Sequence, residues 1–380
     1  MNPIKKYYIM LYKVILQITY NVLSRLLKQD QNKVVIALYR EGKLEGNLHF
    51  IYEELLEQFP QLEVHFVYSE NKMNLKLFKE IVQLSNAKYV IIDDYYLPVY
   101  LLKPKAKLKI IQLWHAAGAF KKFGHSTADT KFGPSKEYLR LVPVHANYTH
   151  VYISAAKFTD YYAEAFHMTP ANIYPFGIPR VDLFTDEPLC REIKKVLYQE
   201  YNFSDTDNKI NILVAPTYRA EGLYTESTAD LMDTIIKLSK SLDKDIRILF
   251  KPHPYVKSSE MDRLRDCPNV MIATGHTINE WMLVSDAFIT DYSSAIFEFA
   301  LLKKPLAHYI PDYKEYQSNR GFYQEIEIMS DGTILWNEAE LLDWMNARKQ
   351  NEYYNTTRMI EYNFDDIENI SHKIVKHFTS

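Results

Sequence analysis

The sequence predicts an α/β protein of two Rossmann-like halves, each a parallel sheet with helices on both faces. Three observations carry that prediction. Short apolar runs alternate with segments of helical periodicity along most of the chain, a pattern that implies parallel strands joined by crossover helices. At 380 residues the chain is too long for one typical domain and suits two. The rhythm breaks at 173–184 (IYPFGIPRVDLF), where Pro175, Gly177 and Pro179 suggest an interdomain connection. Two such halves facing across a cleft would place ligands at the carboxyl ends of their strands.

The chain opens on a basic segment. Lys5, Lys6, Lys13, Arg25, Lys28 and Lys33 stand against one acid, Asp30, interleaved with apolar residues such as Tyr7, Tyr8, Leu11, Ile15 and Ile18. Lys13, Gln17, Asn21 and Ser24 make it too polar for a bilayer span, which takes about 20 apolar residues. No small-residue cleavage site comes after it, which argues against a signal peptide. The expectation is an amphipathic, membrane-associating helix over 1–32, lying in a cytoplasmic membrane interface. Packing on the protein's own core is the competing reading.

Residues 33–39 (KVVIALY) read as the first buried strand, 40–46 as a polar turn with two glycines, and Asn47 as the cap of a helix through Glu57. Next come strand 64–68, helix 72–84, strands 89–92, 109–113 and 148–154, and helix 155–166. After the break, the charged segment 187–207 reads as a separator. The alternation resumes with strand 210–215, a helix near 229–241, strand 246–250, helix 258–265, strand 270–273, helix 278–284 and strand 287–289. Asp291 and Tyr292 end that strand, Ser293 or Ser294 can cap the next element, and 295–302 reads as a helix. The tail, 338–378, is helical in pattern and is expected to pack back across the first domain. The expected domains are 1–32, 33–185 and 186–380.

A formal net charge of −3 excludes a general nucleic-acid binder, since no overall basic field is present. Cys190 and Cys267 are the only cysteines, so neither a disulfide framework nor a cysteine zinc site is available, and a reducing compartment is the default. The 30 tyrosines fit sugar-stacking or interfacial surfaces, and compositional drift explains them equally.

Chemistry concentrates where strands end. Strand 287–289 feeds the hydroxyl-rich start of a helix at Ser293 and Ser294, a site for anions because free N–H groups and the macrodipole favour negative charge there. Glu298, about one turn further in, is placed to bridge the two hydroxyls of a ribose; an ordinary capped helix accounts for the same residues. His115 lies just past another strand and precedes Ala116, Ala117, Gly118 and Ala119, small residues that let a substrate approach, with Lys121 and Lys122 in reach of phosphate. An imidazole near its ordinary pKa of about 6.5 can take a proton from an attacking hydroxyl, although a lone histidine is more often structural. Lys251-Pro252-His253-Pro254 ends a third strand and holds His253 rigidly beside a positive charge, suiting a developing phosphate charge. Ala215-Pro216-Thr217-Tyr218-Arg219 ends a fourth, and Arg219 can bind phosphate bidentately or form a surface ion pair. Asp93-Asp94 reads as a strand end and turn rather than a metal-binding pair. No Walker loop, GxGxxG or HExxH is present, so neither cofactor nor metal is expected.

Taken in order, Trp114-His115 with the lysine pair, the 215–219 and 251–254 motifs, and Thr290-Asp291-Tyr292-Ser293-Ser294 through Glu298 and Lys304-Pro305 resemble the CDP-glycerol glycerophosphotransferase family of wall teichoic acid synthesis. The resemblance covers nearly the whole chain after about residue 33. It implies a GT-B fold, peripheral attachment to the cytoplasmic face of the cell membrane, and transfer of glycerol phosphate from CDP-glycerol to a lipid-linked acceptor. The loop Ala116-Ala117-Gly118-Ala119-Phe120, where many polymerases of the family carry a Gly-Thr-Pro type, resembles the primase branch. That branch primes undecaprenyl-diphosphate-linked ManNAc-GlcNAc and releases CMP. By this resemblance His115 and His253 are catalytic, with His115 the base. Thr217, Arg219, Lys251, Asp291, Ser293, Ser294 and Glu298 bind CDP-glycerol, and Gly118, Lys121 and Lys122 serve the acceptor or phosphate side. An anionic membrane surface is an expected partner, nucleic acid is not, and homo-oligomerisation stays open. A glycerol- or ribitol-phosphate polymerase, a nucleotide-sugar glycosyltransferase and a non-catalytic binder of teichoic acid intermediates are the alternatives.

Overall fold

The computed structural model describes residues 1–38, 42–68, 70–131, 133–204, 208–217, 230–253, 256 and 258–380. The chain divides into two compact units, Met1–Asp182 with Asp365–Ser380, and Leu183–Phe364. Each is built on one parallel sheet, as the alternation of apolar runs and helices requires.

In the first unit the strands are β1 (Lys33–Leu38), β2 (Glu63–Tyr68), β3 (Tyr89–Ile92), β4 (Lys109–Gln112), β5 (His150–Tyr152) and β6 (Ile173–Tyr174). They lie in the order β2-β1-β3-β4-β5-β6, all parallel. The chain starts in the interior of the sheet, runs outward, then returns past β1 and runs the other way. β1 is buried at every position because helices cover both faces. The segment 173–184 does more than break the pattern: it supplies β6 before the 3-10 helix Pro179–Phe184, and two strand residues leave no periodic signal.

The helix Ile370–Thr379 completes this unit. Ile370, Ile374, Val375 and Phe378 are buried in one cluster with Val34, Ile36, Ile51 and Tyr89. Phe378 meets the Tyr89 ring edge-on at 5.3 Å. The Asp182 carboxylate accepts from the N–H groups of Ile370 (2.7 Å) and Ser371 (2.8 Å), fixing the helix start. This corrects the assignment of 365–380 to the second domain: an apolar stripe outweighs position in the chain. It also limits the expected return of the tail to its last helix. Helices Glu338–Asn346 and Thr357–Asn363 stay in the second unit, where Leu341, Trp344 and Met345 join the core.

The N-terminal helix runs Pro3–Leu26, capped by the Asn2 side chain with proline at its first position. Ile9, Tyr12, Leu16 and Tyr20 form a buried stripe. Tyr12 donates to Asn74 O (2.7 Å), Lys13 to Leu141 O (2.8 Å) and Gln17 to Leu101 O (2.8 Å). Tyr7, Leu11, Val14, Ile18 and Val22 are exposed. The helix therefore carries apolar residues on its packed and its exposed sides, rather than one apolar and one polar face. Among the described residues no helix is long and apolar enough to cross a membrane.

The second unit holds β7 (Ile210–Val214), β8 (Ile246–Phe250), β9 (Val270–Ile272), β10 (Ala287–Thr290), β11 (Leu306–Tyr309) and β12 (Thr333–Leu335). Their order is β12-β11-β10-β7-β8-β9, again all parallel. The separator expected at 187–207 is largely a helix, Glu187–Glu200. Asp186 caps it by accepting from Leu189 N (2.9 Å), and Pro188 sits in its first turn. Only Leu197 is fully buried, so the apolar signal is faint.

Candidate active site

Strand register builds the first cluster. β3 and β4 pair with Ile92 opposite Gln112, so Asp93-Asp94 and Leu113-Trp114-His115 leave the sheet side by side. Buried Gln112 joins them: Nε2 donates to Asp94 O (3.2 Å) and to the Tyr148 hydroxyl (3.1 Å), and Oε1 accepts from Trp114 N (2.8 Å). Trp114 holds φ +53°, a left-handed conformation that disfavours a large side chain. Two distant residues stabilise it. Asn47 Nδ2 donates to Trp114 O (2.5 Å), and Arg180 Nη2 donates to His115 O (2.9 Å). Asn47 was expected as a helix cap. The cap position belongs instead to Glu45, and the Asn47 side chain turns into the core, where Oδ1 also accepts from Arg180 N (3.1 Å).

His115 stacks on Trp114 with ring centroids 4.3 Å apart, and its side chain is 33% exposed. Nδ1 lies 3.0 Å from Asp93 O and 3.7 Å from Asp94 Oδ2. A carbonyl only accepts, so in the neutral ring Nδ1 carries the proton and Nε2 keeps a lone pair. His145 lies behind Trp114 at 5.5 Å, with its pKa pushed well below the ordinary value by burial and then by His125 and His115. Gly118 takes φ +66°. Its N–H donates to Ser154 Oγ (2.8 Å) and its C=O accepts from Tyr162 (3.0 Å), so both backbone groups are engaged within the protein. Lys121 and Lys122 come next, half-buried.

In the second unit β10, β7 and β8 are neighbours, so 291–294, 215–217 and 251–253 emerge at one end of the sheet. Asp291 fastens two of these segments. Its Oδ1 accepts from Thr217 N (2.8 Å), Tyr292 N (2.7 Å) and the Thr217 hydroxyl. Thr290 Oγ1 adds a bond to Ala215 O (2.6 Å). Lys251 Nζ donates to His276 O, and His253 is half-buried just past β8. Ser293 Oγ accepts from Ala295 N (3.2 Å), while Ser294 occupies the cap position of helix Ala295–Phe299 without a side-chain bond. Glu298 is 0% exposed, and its carboxylate accepts from Asn279 Nδ2. Arg219 lies outside the described residues.

The sequence-derived site residues thus fall into two groups. His115, Gly118, Lys121 and Lys122 belong to the first unit; Thr217, Lys251, His253, Asp291, Ser293, Ser294 and Glu298 belong to the second. Sequence reasoning missed the supporting polar residues Gln112, Arg180 and Asn279, and read Asn47 only as a helix cap. The one available signal for Gln112 was a polar side chain at the end of an apolar run.

Known proteins resemble this chain in sequence and in fold. A family model described as CDP-Glycerol:Poly(glycerophosphate) glycerophosphotransferase matches residues 18–375. The teichoic acid ribitol-phosphate primase of Bacillus spizizenii is 37% identical over 327 residues, covering 83% of this chain and 82% of that protein. The teichoic acid glycerol-phosphate primase of Bacillus subtilis is 26% identical over 320 residues, covering 82% of this chain and 79% of that one. A structure of the wall teichoic acid polymerase TagF soaked with CDPG superposes with a TM-score of 0.72 at 18% identity, over 100% of this chain and 98% of that chain. That likeness concerns the fold, an α/β arrangement with two parallel sheets of the GT-B-like kind.

Proposed function

The chain belongs to the CDP-glycerol:poly(glycerophosphate) glycerophosphotransferase family, and from that premise we propose that it is a teichoic acid primase. It transfers one alditol phosphate from a CDP-alditol to a hydroxyl of undecaprenyl-diphosphate-linked ManNAc-GlcNAc and releases CMP. The observation that carries the chemistry is the seating of His115: with Nδ1–H held by Asp93 O, Nε2 is the basic nitrogen.

The acceptor oxygen attacks the β-phosphorus and its proton passes to His115 Nε2. The new P–O bond forms as the bond to the bridging oxygen breaks, and that electron pair leaves with CMP. On the second unit, His253 and Lys251 neutralise the diphosphate and Ser293 and Ser294 bind it. Asp291 and Thr217 keep the loops in place, and Glu298, fully buried and bonded to Asn279, braces the helix that follows them rather than reaching the ribose. Alignment and charge stabilisation are what phosphoryl transfer chiefly requires. Gly118 shapes the loop after His115, and Lys121 and Lys122 attract the acceptor's diphosphate.

Two donors fit this reading. Glycerol is the alditol in the family's description, and ribitol is favoured by 37% identity to a ribitol-phosphate primase against 26% to a glycerol-phosphate primase. The enzyme works at the cytoplasmic face of the cell membrane as a peripheral protein. Supporting this, the exposed apolar residues of Pro3–Leu26 are flanked by Lys5, Lys6 and Arg25, a combination suited to anionic lipid. His115→Ala tests the base role. Turnover should fall by about 10²–10⁴-fold while CDP-alditol binding is retained, and near-normal turnover excludes the role.

A further inference from the structure

We infer that Asp94 is the positioning partner of His115, holding the ring in its working orientation and compensating the charge the ring acquires when it takes the acceptor's proton. The inference rests on the base role proposed above and adds a residue to it.

Three observations carry it. First, Asp94 sits where its carboxylate can act: Oδ2 is 3.7 Å from His115 Nδ1, on the side of the ring away from the basic Nε2. Second, the carboxylate is fixed rather than mobile. It is 8% exposed, and Oδ1 accepts from Tyr95 N at 2.7 Å. The Asp94 carbonyl is held by Gln112, the same side chain that accepts from Trp114 N, so acid and imidazole hang from one buried amide. Third, the groups that hold the Trp114-His115 turn bring positive charge to it. Arg180, bonded to His115 O, is positive. His145, behind Trp114, is a base. Asp93 contributes its backbone carbonyl to Nδ1. An imidazolium formed beside Arg180 therefore needs a nearby negative charge, and Asp94 provides one.

The distances divide the labour. Asp93 O, at hydrogen-bond range, selects the tautomer. The Asp94 carboxylate, slightly further away, acts through charge and becomes important as the proton arrives on Nε2. Throughout, the acceptor's proton goes to Nε2 and not to Asp94.

The test is a pH–rate profile of the full-length enzyme with saturating donor, comparing wild type, Asp94→Asn and Asp94→Glu. Asp94→Asn keeps the acceptor for Tyr95 N but removes the charge. Its kcat should fall about 10-fold or more, its KM for the CDP-alditol should change less than about twofold, and the acid limb should move to lower pH by about one unit or more. Asp94→Glu restores the charge and should return the acid limb toward wild type. Partial unfolding scales the amplitude of the profile without moving its limbs, so a merely structural role predicts an unmoved limb. If His115→Ala abolishes turnover while Asp94→Asn leaves the acid limb in place, the positioning role is overturned and the base role stands. If His115→Ala turns over normally, the base role falls and this inference falls with it.

Discussion

Replacing Glu80 by glutamine should stabilise the protein at neutral pH and leave it unchanged in acid. Glu80 lies on helix Lys76–Leu84, which packs against the N-terminal helix, and is 5% exposed. Neither of its carboxyl oxygens has a hydrogen-bond partner among the described residues. Burial raises its pKa from 4.5 to about 7; the Tyr96 hydroxyl, close but outside bonding geometry, offsets this only in part, and Glu70 adds to it. The folded chain therefore holds this proton more tightly than the unfolded chain does. The stability it contributes is fully present below about pH 4.5 and is lost as the pH rises to about 7. A gap of about 2.5 units at 1.36 kcal/mol each is about 3 kcal/mol. Urea unfolding of wild type and Glu80→Gln at matched pH cancels every other titrating group. The difference should grow from near zero at about pH 4.5 to about 2–3 kcal/mol in favour of glutamine above about pH 7.5. Parallel stability curves across that range would refute the reasoning and place a compensating partner beside Glu80.

Other parts of the molecule yield three further expected outcomes. Phe378→Ala empties a fully buried site against Tyr89 and should destabilise the first unit by about 3–5 kcal/mol, read by hydrogen exchange of β1 and β3; unchanged protection would detach the last helix from that core. Asn47→Ala removes the donor to Trp114 O and the acceptor for Arg180 N, so kcat should fall about 10-fold or more with little change in donor KM; unaltered kcat would show that the left-handed turn holds without it. Leu11→Glu with Ile18→Glu on the exposed side of the N-terminal helix should reduce co-sedimentation with anionic liposomes while the thermal midpoint stays within a few degrees. Undiminished sedimentation would count against membrane contact through that helix.

The strand ends were the most legible part of this chain. An apolar run closed by a polar or proline-bearing segment marks where backbone leaves a sheet; it places β3 and β8 to the residue and picks out His115 after β4 and His253 after β8. The elements that escaped notice were short, polar or distant. β12 has three residues, and β11 contains His308, whose two ring nitrogens are engaged by Asp291 O and Ser330, so neither gives a clear apolar run. Helix Glu187–Glu200 is charged along nearly its whole length, and its signal lay in Asp186 and Pro188 rather than in periodicity. The support of His115 was not legible at all. Asn47 and Arg180 reach the Trp114-His115 turn from 67 and 65 residues away, and nothing local in the sequence announces such a contact.

Everything proposed for the site comes down to transfer of an alditol phosphate with CMP as the leaving group. The most direct measurement is mass spectrometry of a synthetic undecaprenyl-diphosphate ManNAc-GlcNAc incubated with the enzyme and either CDP-glycerol or CDP-ribitol, with the released nucleotide identified in the same reaction. One added alditol phosphate and an equal amount of CMP are expected. A ladder of products would make it a polymerase, and release of a nucleoside diphosphate, or no transfer from either donor, would contradict the chemistry proposed for His115.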